Sequence, residues 1–323
     1  MADSSSVPVH EPAKFGPEIT IGPAPGYEHT HTMIFLHGRG DNIKSFTRSL
    51  HAWYSTLGLT LFTAYPSMRF VFPQAPLRPL ASTGGREIWT QWFDVWTPRD
   101  FEEREEVQIP GLRESVGFVK GLVEREVKML DGRMERVLLA GISMGGATGV
   151  HTFLNLDLDV PKEEGEGKRL GAFLAFCARC PFAKSAGERG LGAMRAVLKP
   201  DGAPDGEEEE DNKKNEVIRN TPVMLQHCAD DPLVPVERGR ELCKVLERFG
   251  AKVEWREFPI GGHWFHAPEG IDELIEFLDR AVFGWERERE VEDVVLVGDE
   301  VRMREGWFEE QKSEGSRKGK FFW

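Results

Sequence analysis

The sequence predicts an α/β fold: a single domain with a mostly parallel central sheet and helices on both faces. Short continuous apolar runs, typical of strands buried on both sides, recur along the chain. Between them lie segments with apolar residues every three or four positions, the pattern of amphipathic helices. The chain has 323 residues, of which 40% are hydrophobic and 29% charged, so it can bury a sizeable core.

The strand predictions rest on apolar runs that end in glycine, proline or a polar residue. The last of them differs, because it alternates through Val253 and Trp255. In chain order the predicted strands are Thr32–Leu36, Arg69–Pro73, Arg136–Gly141, Leu170–Phe176, Pro222–Gln226 and Lys252–Phe258.

The helix predictions rest on apolar periodicity and on helix-ending glycines. Gly250 and Gly284 follow the last two helices, where a left-handed C-cap residue is favoured. The predicted helices are Leu112–Leu130, Met144–Leu156, Val236–Phe249 and Ile271–Val282. Strands that alternate with helices in this way favour parallel pairing.

Composition divides the chain into a domain and three less regular segments. We predict the α/β domain over 29–284, after an irregular arm over 1–28 that is rich in proline, glycine and serine. Residues 199–215 contain Glu207–Asp211 and predict an acidic surface insertion. Residues 285–323 form a highly charged extension.

Charge and hydropathy exclude several classes of function. The formal net charge of -13 argues against nucleic acid as a partner and against binding anionic membranes by charge. No apolar run reaches membrane-spanning length and no signal peptide is visible, so we expect a cytoplasmic protein. Four cysteines are too few for a disulfide framework, and the Cys177/Cys180 pair is interpreted as buried structure rather than a metal or redox motif.

A Gly-x-Ser-x-Gly sequence with Ser143 at its centre follows a predicted strand and precedes a predicted helix. This is the context of a nucleophile elbow, a strained turn that exposes a serine hydroxyl. A serine needs a base and a carboxylate that orients the base, and in α/β-hydrolases these follow it in the order Asp/Glu, then His. Ser143 is therefore a candidate nucleophile.

The segments that follow two later strands supply candidates for the carboxylate and the base. Asp230 and Asp231 follow the strand at Pro222–Gln226, and His263 follows the last strand in a glycine-rich loop. Only one aspartate can orient the base, and His266 competes with His263. The two glycines before His263 favour it, because they let the loop reach the serine.

An oxyanion needs backbone N–H donors. We expect one from Met144, directly after the nucleophile, and one from Arg39 in the turn His37-Gly-Arg-Gly-Asp41. Trp89 and Trp92 lie between the second strand and the first predicted helix, so two interpretations stay open for them: core, or the wall of an acyl pocket. Asp94 is interpreted as structural.

Six motifs in one order resemble the phospholipase/carboxylesterase family, which includes the acyl-protein thioesterases. They span about residues 30 to 283 and are His37-Gly-x-Gly-Asp41, Phe72-Pro-Gln-Ala-Pro-Leu-Arg-Pro79, Trp92-Phe-Asp94, Gly141-x-Ser-x-Gly-Gly146, Asp231-Pro-Leu-Val-Pro235 and the Gly-His263 loop. The resemblance implies an α/β-hydrolase that cleaves esters and thioesters, S-acylated proteins among them, without a metal or other cofactor.

Carried over to this sequence, the resemblance implies the triad Ser143, Asp231 and His263, with Arg39 and Met144 as oxyanion donors. At the positions of Arg39 and Met144 the family typically has leucine and glutamine, respectively. The pocket mouth therefore gains a charge at Arg39. A short-chain carboxylesterase and a small-molecule acyl hydrolase are alternatives within the class. A noncatalytic binding protein on the same fold is the alternative outside it. Oligomeric state is left open.

Overall fold

The computed structural model of the chain describes residues 13–158, 168–199 and 215–284. The predicted extension 285–323 and most of the predicted acidic insertion lie outside the described residues. Within them, a seven-stranded sheet has the order β1-β3-β2-β6-β7-β8-β9. Its strands are β1 (Glu18–Ile21), β2 (His31–Leu36), β3 (Met68–Pro73), β6 (Val137–Ile142), β7 (Ala172–Phe176), β8 (Pro222–Cys228) and β9 (Lys252–Phe258).

All neighbouring strands of this sheet pair in parallel except β1, which pairs antiparallel to β3. Strand β1 corrects the prediction of a wholly irregular N-terminal arm, because Glu18–Ile21 lies within it. A four-residue edge strand is too short to show a period, and its position depends on pairing with a segment some fifty residues away. A separate two-stranded hairpin joins β4 (Leu77–Pro79) to β5 (Ile88–Thr90).

Helices cover both faces of the sheet. They are α1 (Ile43–His51), α2 (Leu61–Ala64), α3 (Ile109–Met129), α4 (Met144–Leu154), α5 (Leu191–Ala196), α6 (Glu216–Asn220), α7 (Val236–Arg248) and α8 (Glu269–Leu278). Short 3-10 turns lie at Ala81–Thr83, Glu105–Gln108, Met134–Arg136 and Gly187–Arg189, and a π-helical turn at Asp279–Phe283 follows α8.

Strand alternation divides the apolar core into two layers. Ile34 and Leu36 face the layer that contains α3, α4 and α7, whereas Met33 and Phe35 face the layer that contains α1, α2 and α8. Burial on both faces explains why the central strands are continuous apolar runs. The predicted α/β class and every predicted strand and helix are present, with ends displaced by a few residues.

Candidate active site

Ser143 lies in the turn between β6 and α4, with φ 56° and ψ −123°. Such a positive φ is strained for a residue with a side chain, and it projects the hydroxyl from the carboxyl end of the sheet. The flanking glycines permit the turn. A Cβ on Gly141 would lie 2.6 Å from the carbonyl oxygen of Gly145, and one on Gly145 would overlap the carbonyl oxygens of Leu36 and His37.

Three side chains from three strand ends form one chain of hydrogen bonds. Ser143 Oγ lies 2.8 Å from His263 Nε2, and His263 Nδ1 lies 2.7 Å from Asp231 Oδ2. Asp231 follows β8 and His263 follows β9, so residues far apart in sequence meet because parallel strands end at the same edge of the sheet. The structure thus brings the three predicted triad residues together.

The Asp231 carboxylate is buried and accepts several hydrogen bonds. Its Oδ1 accepts the N–H groups of Leu233 and Val234 at 2.8 and 2.9 Å, and its Oδ2 also lies 3.3 Å from His227 Nε2. Burial alone would raise the pKa of Asp231. The bonds from His227, His263 and Val234 outweigh burial and hold that pKa well below its usual range. The carboxylate is therefore ionised.

The competing residues occupy other positions. Asp230 is exposed and accepts the Gly262 N–H at 2.8 Å. His266 Nδ1 lies 2.9 Å from the Ile260 carbonyl oxygen and its Nε2 lies 3.1 Å from Glu269. Both side chains therefore shape the loop that carries His263, and neither contacts the serine.

The turn after β2 is built around His37. Its Nδ1 donates to the Gly38 carbonyl at 2.7 Å, and its Nε2 accepts the Ala75 N–H at 3.1 Å. Burial lowers the pKa of His37 to about 4, so the imidazole is neutral and can accept that bond. Trp92 Nε1 donates to the His37 carbonyl at 2.8 Å and ties the turn to the following segment.

This turn lies against the nucleophile. A Cβ on Gly38 would lie 3.5 Å from Ser143 Cβ. Among hydrogen bonds between described residues, the N–H groups of Arg39 and Met144 have no acceptor. They flank Ser143 from two different segments, and so are available to a substrate oxygen.

Trp89 and Trp92 take different positions. Trp92 is fully buried and supports the His37 turn, which favours the core interpretation of the two left open for it. Trp89 is 38% exposed on the β4–β5 hairpin and lies against Gly40 and Arg39. Asp94 accepts the N–H groups of Ala81 and Val95, in agreement with a structural role.

Cys177 and Cys180 are both buried, and no disulfide joins them. One group of three side chains in the described ranges could hold a metal by distance, namely Cys177, His227 and Asp231, whose ligand atoms lie within 4.8 Å of one another. His227 Nε2 already lies 2.8 Å from the Val234 carbonyl, and Asp231 already binds His263. His227 and Asp231 are therefore both engaged in hydrogen bonds around the candidate triad.

Two residues near the site were not predicted from the sequence. His227 contacts Asp231, and buried Gln91 accepts a hydrogen bond from Arg39. For His227 the only local signal is its position four residues before Asp231. Nothing in the local sequence identifies Gln91. None of the helices in the described ranges has the length and apolar character that crossing a bilayer requires.

Comparisons with known proteins place the chain in a family. The family described as phospholipase/carboxylesterase matches residues 21–185. Acyl-protein thioesterase 1 of Gibberella zeae is 27% identical over 255 residues, which cover 78% of this chain and 90% of that protein. The protein of the same name from Debaryomyces hansenii is 23% identical over 250 residues, 76% of this chain and 89% of the relative.

Solved structures share the fold. Zea mays acyl-protein thioesterase 2 has a TM-score of 0.59 at 23% identity, covering 83% of this chain and 99% of its own. Arabidopsis thaliana SOBER1 has a TM-score of 0.56 at 20% identity, with 78% and 99% covered. The predicted resemblance is confirmed: this chain belongs to the phospholipase/carboxylesterase family of α/β-hydrolases and is a hydrolase of esters or thioesters.

Proposed function

We propose that Ser143, His263 and Asp231 act as a catalytic triad that hydrolyses acyl esters and thioesters through an acyl-enzyme intermediate. The observation that carries the proposal is the continuous chain of bonds from Ser143 Oγ through His263 to Asp231. His263 is the base because its Nε2 lies within reach of the hydroxyl proton. Asp231 stays ionised and holds the ring in the tautomer with a proton on Nδ1.

In the first half of the reaction, His263 removes the proton from Ser143 as Oγ attacks the acyl carbonyl carbon. The carbonyl oxygen gains the negative charge, and the N–H groups of Arg39 and Met144 donate to it. The bond to the leaving alcohol or thiol then breaks, and His263 returns the proton to that group. In the second half, His263 deprotonates a water whose oxygen attacks the acyl carbonyl carbon. The bond from that carbon to Ser143 Oγ then breaks, His263 returns the proton to Oγ, and the free acid leaves.

The names of the relatives favour acylated proteins as one substrate class, because the family members most similar in sequence include acyl-protein thioesterases. Thioesters and oxygen esters react at the same carbonyl carbon, so one triad serves both. Parallel assays on a matched oxygen ester and thioester measure the preference directly.

Labelling with a fluorophosphonate probe, followed by peptide mapping, tests the triad. We expect one adduct on Ser143, because an activated serine attacks the phosphorus and expels fluoride. Ser143→Ala should fold normally, take no label and lose turnover by roughly 10⁴-fold or more. An adduct on another residue, or full turnover in Ser143→Ala, would refute the proposal. The matched control is Ser82→Ala, at an exposed position on the hairpin loop, which should label like the wild type.

A further inference from the structure

We infer that the side chain of Arg39 selects substrates that carry an anionic group, a carboxylate or a phosphate, near the scissile bond. The inference rests on the proposed function, since it concerns the substrate of the same site. The backbone of Arg39 serves any ester, whereas its guanidinium distinguishes charged from neutral ones.

Arg39 is fixed beside the nucleophile by its neighbours in the chain. Gly38 precedes it and lies against Ser143, because a Cβ added to Gly38 would lie 3.5 Å from Ser143 Cβ. Gly40 follows it and donates its N–H to the Thr90 carbonyl at 2.7 Å, which ties the turn to the β4–β5 hairpin. The Arg39 side chain therefore leaves the backbone at the junction of the turn and the hairpin.

A buried amide and an aromatic ring hold the guanidinium in one orientation. Arg39 Nε donates to Gln91 Oε1 at 2.9 Å, and Gln91 is fully buried. The amide of Gln91 is itself fixed, because its Nε2 donates to Asp94 Oδ1 at 3.3 Å. The Arg39 Cζ lies 4.9 Å from the ring centroid of Trp89, in a cation–π contact. Such anchoring reduces the entropy cost of binding a ligand.

The far end of the guanidinium remains available. Its Nη1 and Nη2 make no hydrogen bond to the described part of the chain, and no carboxylate there forms an ion pair with it. Asp94 contributes a weaker attraction, but its oxygens already accept N–H groups from Ala81 and Val95. The Glu87 carboxylate on the same hairpin is also engaged elsewhere, because it accepts the Trp89 Nε1–H at 3.3 Å.

Burial lowers the pKa of Arg39, although a guanidinium keeps its charge at neutral pH. Asp94 attracts this partly desolvated cation without forming an ion pair with it, so an anion that approaches the Nη edge relieves a remaining desolvation cost. The two parallel N–H donors match the two oxygens of a carboxylate or phosphate, so the contact is specific as well as attractive. The anion could lie on the acyl part or on the leaving group.

Two matched substrate pairs test both sources. The first is the mono-para-nitrophenyl ester of glutaric acid against the para-nitrophenyl ester in which an isopropyl group replaces the free carboxyl. The second is butyryl-coenzyme A, which carries phosphates on the leaving group, against S-butyryl-N-acetylcysteamine. For each pair, the readout is the ratio of kcat/KM for the anionic substrate to that for the neutral one.

We expect Arg39→Met to lower this ratio by roughly 10- to 100-fold in at least one pair, as expected for losing a charge-assisted bidentate contact. Arg39→Gln, a second neutral variant, should do the same, and Arg39→Lys should fall between. Arg86→Met is the matched control: Arg86 lies on the same hairpin, is exposed and donates to the Thr83 carbonyl. Its ratio should equal that of the wild type.

A fall confined to the glutarate pair assigns the anion to the acyl part, and a fall confined to the coenzyme A pair assigns it to the leaving group. A ratio that is unchanged in both neutral variants overturns the inference, as does a wild-type preference for the neutral member of both pairs. If the neutral esters are hydrolysed and the ratio is unchanged in both neutral Arg39 variants, the inference fails but the proposed function stands. Absence of hydrolysis of all four substrates, together with no fluorophosphonate adduct on Ser143, instead refutes the triad proposal.

Discussion

At the scale of single residues, Asp231 and Asp230 demonstrate how adjacent carboxylates take different roles. Asp231 is 7% exposed, and its oxygens accept bonds from two histidines and two backbone N–H groups. Asp230 points outward and accepts a single N–H from Gly262. The backbone turn after β8 directs one side chain to His263 and the other away from it.

We predict that Asp231→Asn lowers kcat by roughly 10³- to 10⁴-fold, because the amide favours the wrong tautomer of His263. The matched control is Asp230→Asn, which keeps an acceptor for Gly262 and should cost less than about tenfold. Steady-state assays of both purified variants on one ester measure the difference. The assignment of Asp231 would be contradicted if the Asp230 variant were the more damaged of the two.

At the scale of elements, the elbow between β6 and α4 is possible because glycines flank the nucleophile. Gly145 lies in the first turn of α4 against the end of β2, where a Cβ would meet the carbonyl oxygens of Leu36 and His37. These oxygens belong to backbone that is held in the sheet and in the turn after β2, so moving them aside is costly. The close approach of α4 to β2 therefore positions the serine and the turn together.

We expect Gly145→Ala to lower the free energy of unfolding by about 3 kcal/mol or more, as overpacking against backbone does. Gly117→Ala is the control in α3: Gly117 is exposed, and its Cβ would meet nothing within 4 Å. That variant should be neutral or more stable by up to about 1 kcal/mol, since alanine favours helix. Urea titrations of the two variants test this, and equal effects would refute the steric argument.

At the scale of the whole molecule, two apolar layers bury imidazoles as well as hydrocarbon. His37 and His151 are fully buried, one in the turn after β2 and the other in α4 with Nε2 3.0 Å from the Pro181 carbonyl oxygen. Burial lowers the pKa of each from 6.5 to about 4. Both are therefore still neutral in the folded protein at pH values where the same histidines in the unfolded chain are already protonated.

The sign of the resulting pH dependence follows from proton counts. Between pH 6.5 and 4 the unfolded state binds protons that the folded state does not, so stability falls as pH falls and levels off below about pH 4. From pH 7 to pH 5, each histidine should lower the free energy of unfolding by roughly 2 kcal/mol. Urea titrations at the two pH values measure the fall.

His151→Gln tests the origin of this effect. Because glutamine does not titrate, the fall between pH 7 and pH 5 should shrink by roughly 2 kcal/mol in the variant, whatever its stability at pH 7. An identical fall in variant and wild type would exclude His151 as a contributor.

The sequence alone determined the α/β class, the alternation of strands and helices and the residues from which a triad could be built. These features are visible locally, since burial on both faces produces continuous apolar strands and helices repeat every three or four residues. The Gly-x-Ser-x-Gly pattern is equally visible in the local sequence, and Gly141 is required by contacts with Gly145 and Gly146 within the turn itself.

The tertiary structure decided what depends on contacts between distant segments. Only pairing with β3 identifies β1 as a strand, and only packing places Trp92 in the core and Trp89 at the surface. The residues alone left Asp230 and Asp231 as alternatives and the family resemblance favoured Asp231; only the structure shows that this carboxylate faces His263 across 32 residues of chain. The contact of Arg39 with Gln91 joins residues 52 positions apart. Local periodicity carries no information about such contacts, because they arise when strand ends and loops converge at one edge of the sheet.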